Sequence, residues 1–516
     1  MTKKFSIALC RKRHSTIMFM IFLMFLQTTP LYSLPTGAQV VTGNGIVTQD
    51  GNRMDINQTG NKMITNWQSF GIGKGETVNF RQPSSSAIAL NRVLGIDPSG
   101  IYGSLTANGR VFLINPNGVL FGAGAQVNVG GLVASTLNIT DTDFLNGNYS
   151  FTKESTAGSV VNQGRITAAD GGYVALLAPE VRNEGIITAK LGSVVMGAGE
   201  RVTLDMDGDG LINFEVDQKI ADASIKNKGM ICADGGMAVM SAGIADHLIS
   251  SVVNNEGIVL ARSISNKNGV IRLEGNEVTN SGTLDVSGKN TGETGGTIKV
   301  LGEKTTLDGN AVVDASGDAG GGTILIGGNY QGKGPEANAK ETTIGRDVKI
   351  TADAIQTGNG GKVIAWADDK TTFNGSISAR GGALSGDGGF VETSGHTLKT
   401  GDTAVVDTRA PKGRTGTWLL DPNDYIIGGA GADVTGAQVA GWLGLSNVTI
   451  QTATMGHAGS GDISVNEAVR WANGNSLTLN AERDILINAV IGSTSGNGML
   501  FLRSDANGSY LSDSVG

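Results

Sequence analysis

The sequence is short of nearly everything that a conventional enzyme or a disulfide-stapled domain relies on. Its 516 residues include 2 cysteines, 4 histidines and 9 prolines, with 5% aromatic and 17% charged residues. Cys10 falls in an N-terminal leader, so Cys232 is left alone and an internal disulfide is excluded. Within Met230-Ile231-Cys232-Ala233, Cys232 reads as a buried small residue. His14 also lies in the leader. His247, His396 and His457 are far apart, and neither a His-Glu-x-x-His string nor a Cys/His cluster occurs. A zinc hydrolase or a His-ligated haem site is poorly supported, and no Gly-x-Ser-x-Gly elbow or phosphate loop is present. No catalytic residues and no cofactor are expected. So few aromatics also argue against a large conventional core.

Long apolar runs are equally scarce. Ile17 to Leu26 is one, preceded by Lys3, Lys4, Arg11, Lys12 and Arg13. A run that short does not span a bilayer, which takes about 20 residues. A basic stretch followed by an apolar one reads as a cleaved export signal over residues 1–33, with a mature start near Leu34. Losing those five positive charges takes the formal net charge from −8 to −13. An acidic exported surface disfavours nucleic acid as a partner.

What the chain has in excess is glycine, 79 residues without collagen's three-residue period. That is about twice the usual share and implies many tight turns. From Ser159 onward the turns fall into register. Val-x-Asn-x-Gly-x-Ile or a close variant recurs with its asparagine at Asn162, Asn183, Asn227, Asn255 and Asn280. The 44-residue gap between Asn183 and Asn227 reads as two coils, one poorly marked. A second motif, Gly-x-Val-x-Leu-like, begins at Gly172, Gly192, Gly296, Gly322 and Gly361. Aliphatic residues that alternate inward, with Gly or Asn at the corners, predict an all-β, right-handed parallel β-helix. Stacked asparagines then form a hydrogen-bonded ladder. About 20 coils at about 4.8 Å each give a rod on the order of 100 Å. Several antiparallel sandwiches are the alternative, but the period exceeds the strand spacing of such folds.

Upstream, Ala107 to Ser135 is built around Asn115-Pro116-Asn117-Gly118. Pro116 suits the first corner of a turn, and Asn117 or Gly118 the left-handed position after it. The flanking runs Val111–Ile114 and Val119–Phe121 are apolar enough to be buried, and Ala125–Val129 alternates. The whole stretch from Asn91 to Gly122 (NRVLGIDPSGIYGSLTANGRVFLINPNGVLFG), with Ile64–Phe70 before it and Gly131–Thr136 after it, resembles the N-terminal secretion domain of the filamentous-haemagglutinin family. These are the exported partners of two-partner secretion in Gram-negative bacteria. Many members carry a second motif, Asn-Pro-Asn-Leu. Here Asn-Pro-Asn occurs once and the equivalent region reads Gln82 to Val93 (QPSSSAIALNRV), which resembles the high-molecular-weight-adhesin branch rather than the haemolysin branch.

The resemblance implies Sec export, recognition in the periplasm by an Omp85-type outer-membrane transporter, and folding at the surface. It marks Asn115, Pro116, Asn117 and Gly118, with Asn91 and Arg92, as secretion-motif residues. It divides the chain into a signal peptide at 1–33, a secretion domain at 34–280 that caps the β-helix, and a repeat region at 281–411. A junction segment with further repeats follows at 412–516, where Thr415 to Tyr425 (TGTWLLDPNDY) also resembles the family. The pattern running into Gly516 without a cap reads as a truncated frame or a fragment. The implied activity is adhesion to an unidentified cell-surface receptor. A stalk delivering a toxin or haemolysin is the alternative, and a carbohydrate-active β-helix enzyme a third. Acidic residues at turns, such as Asp170, Asp234, Asp318 and Asp387, read as solvated corners rather than a catalytic cluster. Asp205, Asp207 and Asp209 match the start of a calcium loop, but position 12 is Val216, with Glu215 one residue early; the resemblance, in which several members have a Gly-Asp-Gly turn here, implies a structural turn.

Overall fold

The computed structural model of the protein describes residues 33–506 other than 155–156, 206–212, 219–222, 244–250, 265–266, 455–457 and 495–496, with the backbone alone at 213–218. The export-signal reading at 1–33 lies outside the described residues, apart from its last position.

Short aliphatic strands stack into a parallel β-helix, and the sandwich alternative fails because the strands pair in parallel with their equivalents one coil away. Each N-terminal coil has three faces. The first carries strands such as Arg110–Ile114 and Gly131–Ser135, the second Val119–Phe121, and the third Gln126–Val129. The third-face strands form a 14-stranded sheet. On it a single inward column runs from Val78 through Leu105, Val127, Ile166, Ile187, Ile231, Val259 and Leu284 to Val313, Ile350, Ile377 and Val406. Each such side chain contributes about 1.5–3 kcal/mol by burial. The repeat length keeps them in register, so each coil covers the last.

Glycine closes the corner ahead of the first face. A Cβ on Gly192 would sit 1.8 Å from the carbonyl oxygen of Gly172, one coil earlier, so no side chain fits there. The Asn-x-Gly motif forms the second corner. Asn162, Asn183, Asn227, Asn255 and Asn280 are fully buried and linked Nδ2 to Oδ1 at 2.7–2.8 Å, giving the expected ladder.

The first two strands, Gln39–Thr42 and Gly45–Asp50, instead pair antiparallel with Lys62–Trp67 and Arg53–Gln58 and cap the rod's N-terminal end. A second layer covers the first face. The helix Asp141–Asn146 and a three-stranded antiparallel sheet (Tyr149–Thr152, Arg201–Asp205, Asn213–Gln218) pack on its outward side. There Phe112 meets Phe144 at 5.9 Å and Tyr149 at 5.5 Å between ring centroids. Beyond Val405–Asp407 the third face gives way to short sheets. The helix Gly436–Leu443, opened by a Thr435/Gln438 capping box, packs Trp442 on Trp418.

Four expectations need correction. The 44-residue gap is one coil: Asn183 pairs directly with Asn227, and the surplus residues include the hairpin strands Arg201–Asp205 and Asn213–Gln218. Among the described residues, sixteen parallel strands, not about 20, stack on the first face from Lys62–Trp67 to Leu500–Arg503, or about 75 Å at the usual strand spacing. Cys232 is half-buried, because in the strand Met230–Cys232 Ile231 points inward. Asp234 is a buried partner of Arg262 rather than a solvated corner.

Candidate functional site

Pro116 and Asn117 make a turn closed by the Gly118 N–H donating to the Asn115 carbonyl at 3.1 Å. Gly118 takes the left-handed position at φ 126°, where a side chain is strained, whereas Asn117 does not. The strands on either side do not pair with each other. Arg110–Ile114 belongs to the first face and Val119–Phe121 to the second, so the turn is a corner of the rod rather than a hairpin.

The asparagines of the turn hold a neighbouring loop. Asn115 is fully buried, and its Nδ2 donates to the Asp97 carbonyl and to Ser99 Oγ, both at 3.0 Å. Its Oδ1 accepts from the Asn117 backbone N–H at 3.0 Å and from Asn117 Nδ2 at 3.1 Å. Asn117 Nδ2 also donates to the Gly95 carbonyl at 2.8 Å. The loop so pinned presents Leu94 and Ile96, 60% and 86% exposed. Sequence reasoning missed these two. Their signal was an apolar pair either side of Gly95, just ahead of an Asp-Pro turn.

Asn91 and Arg92 sit on opposite sides of one first-face strand. Asn91 points inward, accepting from Trp67 Nε1 at 3.0 Å. Arg92 points outward and locks the covering layer, donating to Asn138 Oδ1 at 3.1 Å and the Ile139 carbonyl at 2.7 Å, and pairing with Asp141 at 2.8 Å. At the other end of that helix, Lys62 Nζ donates to the carbonyls of Phe144 and Leu145 at 2.8 and 2.9 Å. Burial lowers its pKa. Of the six motif residues, Asn115–Gly118 therefore gather at the turn with its loop, Arg92 anchors the covering layer, and Asn91 faces the core.

Asp205 ends a strand of the antiparallel sheet and is exposed; Asp207 and Asp209 lie outside the described residues. Among the described residues, no group of three His, Cys, Asp or Glu side chains is placed to hold a metal ion. An open groove of about 930 Å³ runs over Gly322, Gly361, Gly389 and Gly416. Its charged rim is already engaged, Arg414 with Asp387 at 2.7 Å and Lys362 with Asn329 at 3.2 Å. Two carboxylates beside it are unusual. Burial pushes Glu392 up to about 8 and Asp421 up to about 7.

The TPS secretion domain family matches residues 31–286. A heme/hemopexin-binding protein of Haemophilus influenzae (strain ATCC 51907 / DSM 11121 / KW20 / Rd) is 32% identical over 340 residues, 63% of this chain and 36% of its own length. Another Haemophilus influenzae protein of that name is 30% identical over 260 residues, 46% of this chain and 28% of its own. This chain thus spans about a third of the length of the curated relatives it matches. The crystal structure of the HMW1 secretion domain from Haemophilus influenzae superposes with a TM-score of 0.65 at 34% identity, covering 75% of this chain and 100% of that one.

Proposed function

We propose, from the premise that the chain belongs to the two-partner secretion exoproteins, that its N-terminal coils are the address read by an Omp85-type outer-membrane transporter. The rod behind them is then carried through the periplasm to the cell surface and acts there as an adhesin. The observation that carries the first part is the Asn115–Gly118 turn, whose buried hydrogen bonds hold Leu94 and Ile96 out in water. Exposed apolar residues are ordinary singly, but a pair held in water by buried hydrogen bonds suits a surface that a partner covers. The antiparallel cap supports emergence from the N-terminal end, because it closes the first coil before later ones arrive.

The test is secretion through the cognate transporter. Asn115→Ala leaves the Asp97 carbonyl and the Asn117 N–H without their buried partner, each worth about 1–3 kcal/mol, and secretion drops. Leu94→Ser with Ile96→Ser changes exposed side chains, keeps the fold, and also lowers secretion. Wild-type export of both variants refutes the reading. A second reading of the surface activity is suggested by the names of the relatives: the secreted rod binds heme or hemopexin. Binding to immobilised hemopexin against binding to host cells separates the two.

A further inference from the structure

Residues 327–340 leave the rod after the strand Thr323–Ile326 and lie over the outward side of the first face, where Tyr330 packs on Phe390 with ring centroids 5.7 Å apart. The pairings of Trp366 with Ser394 and of Ser394 with Asp421 put these three side chains in one outward column. Glu392, two residues before Ser394, shares that side of the strand. Glu392 and Ser394 are fully buried and Asp421 is 6% exposed.

These two carboxylates are satisfied by amides, not cations. The Gln331 N–H donates to both Glu392 oxygens at 3.1 and 3.2 Å. Asp421 Oδ2 accepts from Gln331 Nε2 at 3.3 Å and Gln451 Nε2 at 3.4 Å. The nearby ammonium groups are used elsewhere, Lys362 Nζ on Asn329 Oδ1 at 3.2 Å and Lys333 Nζ on Gln331 Oε1 at 3.0 Å. One buried oxygen is left over, Asp421 Oδ1, which has no hydrogen-bond partner, while the buried Ser394 hydroxyl lies close enough to Glu392 to favour its charged form. Gln331 is itself held at φ 52°, ψ 34°, a strained conformation for a residue with a side chain.

Two carboxylates removed from water are costly unless their charge is compensated. What remains open here is a set of hard oxygen donors with no sulfur or imidazole in it, which suits an alkaline-earth ion. Calcium tolerates the irregular geometry of a strand surface, whereas magnesium demands a near-octahedral shell. We propose that Glu392, Asp421 and Ser394, roofed by the Gln331 turn, form a binding site for a hard divalent cation, calcium before magnesium. With two carboxylates rather than three, water completes the shell, and half-saturation falls near about 10⁻⁴–10⁻³ M, as in extracellular calcium modules. Asp421 opens the Asp421–Tyr425 segment of the junction, for which the export reading has no use.

Terbium, an oxygen-seeking stand-in for calcium, reads the site directly, because Trp366 is the cross-strand neighbour of Ser394. In the purified full chain, tryptophan excitation gives saturable terbium emission that calcium displaces, and millimolar calcium raises the unfolding temperature by several degrees. Glu392→Gln and Asp421→Asn each weaken terbium binding at least tenfold and remove the thermal shift. Trp366→Phe loses the emission but keeps the shift. Asp205→Asn keeps both, which separates this site from the 205–215 segment. Should the carboxylate variants not fold, Ser394→Ala still decides: affinity falls several-fold if the hydroxyl is a ligand. No saturable emission from the wild-type chain, emission that survives both carboxylate substitutions, or unchanged affinity in Ser394→Ala overturns the proposal.

Discussion

In the N-terminal coils, the first-face strands Gly131–Ser135 and Tyr173–Leu177 are buried at every position, whereas Val270–Asn280 and Thr297–Leu307 alternate between buried and more exposed residues. The former lie between the rod's core and a second apolar layer built by the helix Asp141–Asn146 and the antiparallel sheet. Further along, residues 327–340 cover the same face differently, with the half-exposed Tyr330, a strained Gln331 and two buried carboxylates. The second corner changes as well. The column of Asn162, Asn183, Asn227, Asn255 and Asn280 continues as Leu307, Ile344 and Phe373. One rod therefore carries an N-terminal part whose order is over-determined by a second core and a polar ladder, and a distal part whose second corner is apolar and whose roof covers only a small apolar cluster around Trp366 beside two buried carboxylates. On the proposed reading of the N-terminal coils as an address, a segment that folds first and is recognised benefits from the former, and the distal coils would add onto an ordered template.

The largest expected effect tests that contrast at its centre. Phe112 is fully buried and touches three aromatic rings of the covering layer, so Phe112→Ala costs about 3–5 kcal/mol. Tyr330 is 40% exposed, meets Phe390 edge-on and has Lys362 Nζ 5.7 Å from its ring centroid, so Tyr330→Ala costs about 1 kcal/mol. Denaturant midpoints of the two purified variants check this. Equal losses would mean that the two roofs do not differ as argued.

The ladder gives the next effect. Asn227→Leu keeps the branched shape but strands Asn183 Nδ2 and Asn255 Oδ1 in the core, a loss of about 2–3 kcal/mol. Hydrogen exchange places it in the coils from Asn183 to Asn255. The converse change, Leu307→Asn, extends the ladder by one rung opposite Asn280 and does not stabilise, because Ile344 on the next coil offers no partner.

Much of this was legible in the sequence and the rest failed for local reasons. The ladder, the glycine corner and the turn at Asn115 are all set by residues a few positions apart, and such spacing survives in the sequence. The covering layer was not read because its parts are inserted: 44 residues between Asn183 and Asn227 look like a lost repeat unless the hairpin is known. Yet it left a trace. Val111-Phe112-Leu113-Ile114 and Tyr173-Val174-Ala175-Leu176-Leu177 do not alternate, and an unalternated strand in a one-sided solenoid signals that its outer side is covered too. The two short helices carried readable caps, Thr140 with Asp143 and the Thr435/Gln438 box. The loop bearing Leu94 and Ile96 was not legible as a site, since single exposed apolar residues are ordinary and only their scaffolding by Asn115 and Asn117 sets these apart.

The smallest effect concerns the roof itself. Gln331 occupies a left-handed conformation between Tyr330 and Gly332, and its side-chain amide makes a 3.3 Å bond to Asp421 and accepts from Lys333. Gln331→Gly removes the strain, a gain of about 1 kcal/mol, and gives up a long hydrogen bond worth less than that to a partner that also has Gln451. The backbone N–H to Glu392 is kept. Thermal stability therefore rises slightly or stays level, whereas in the N-terminal roof the comparable removal of Arg92, which bonds Asn138, Ile139 and Asp141, lowers it. Paired melting curves for Gln331→Gly and Arg92→Ala decide this. A drop of more than about 1 kcal/mol in the glycine variant would show that the side chain, not the backbone, holds the distal roof down, and the two roofs would then be anchored alike.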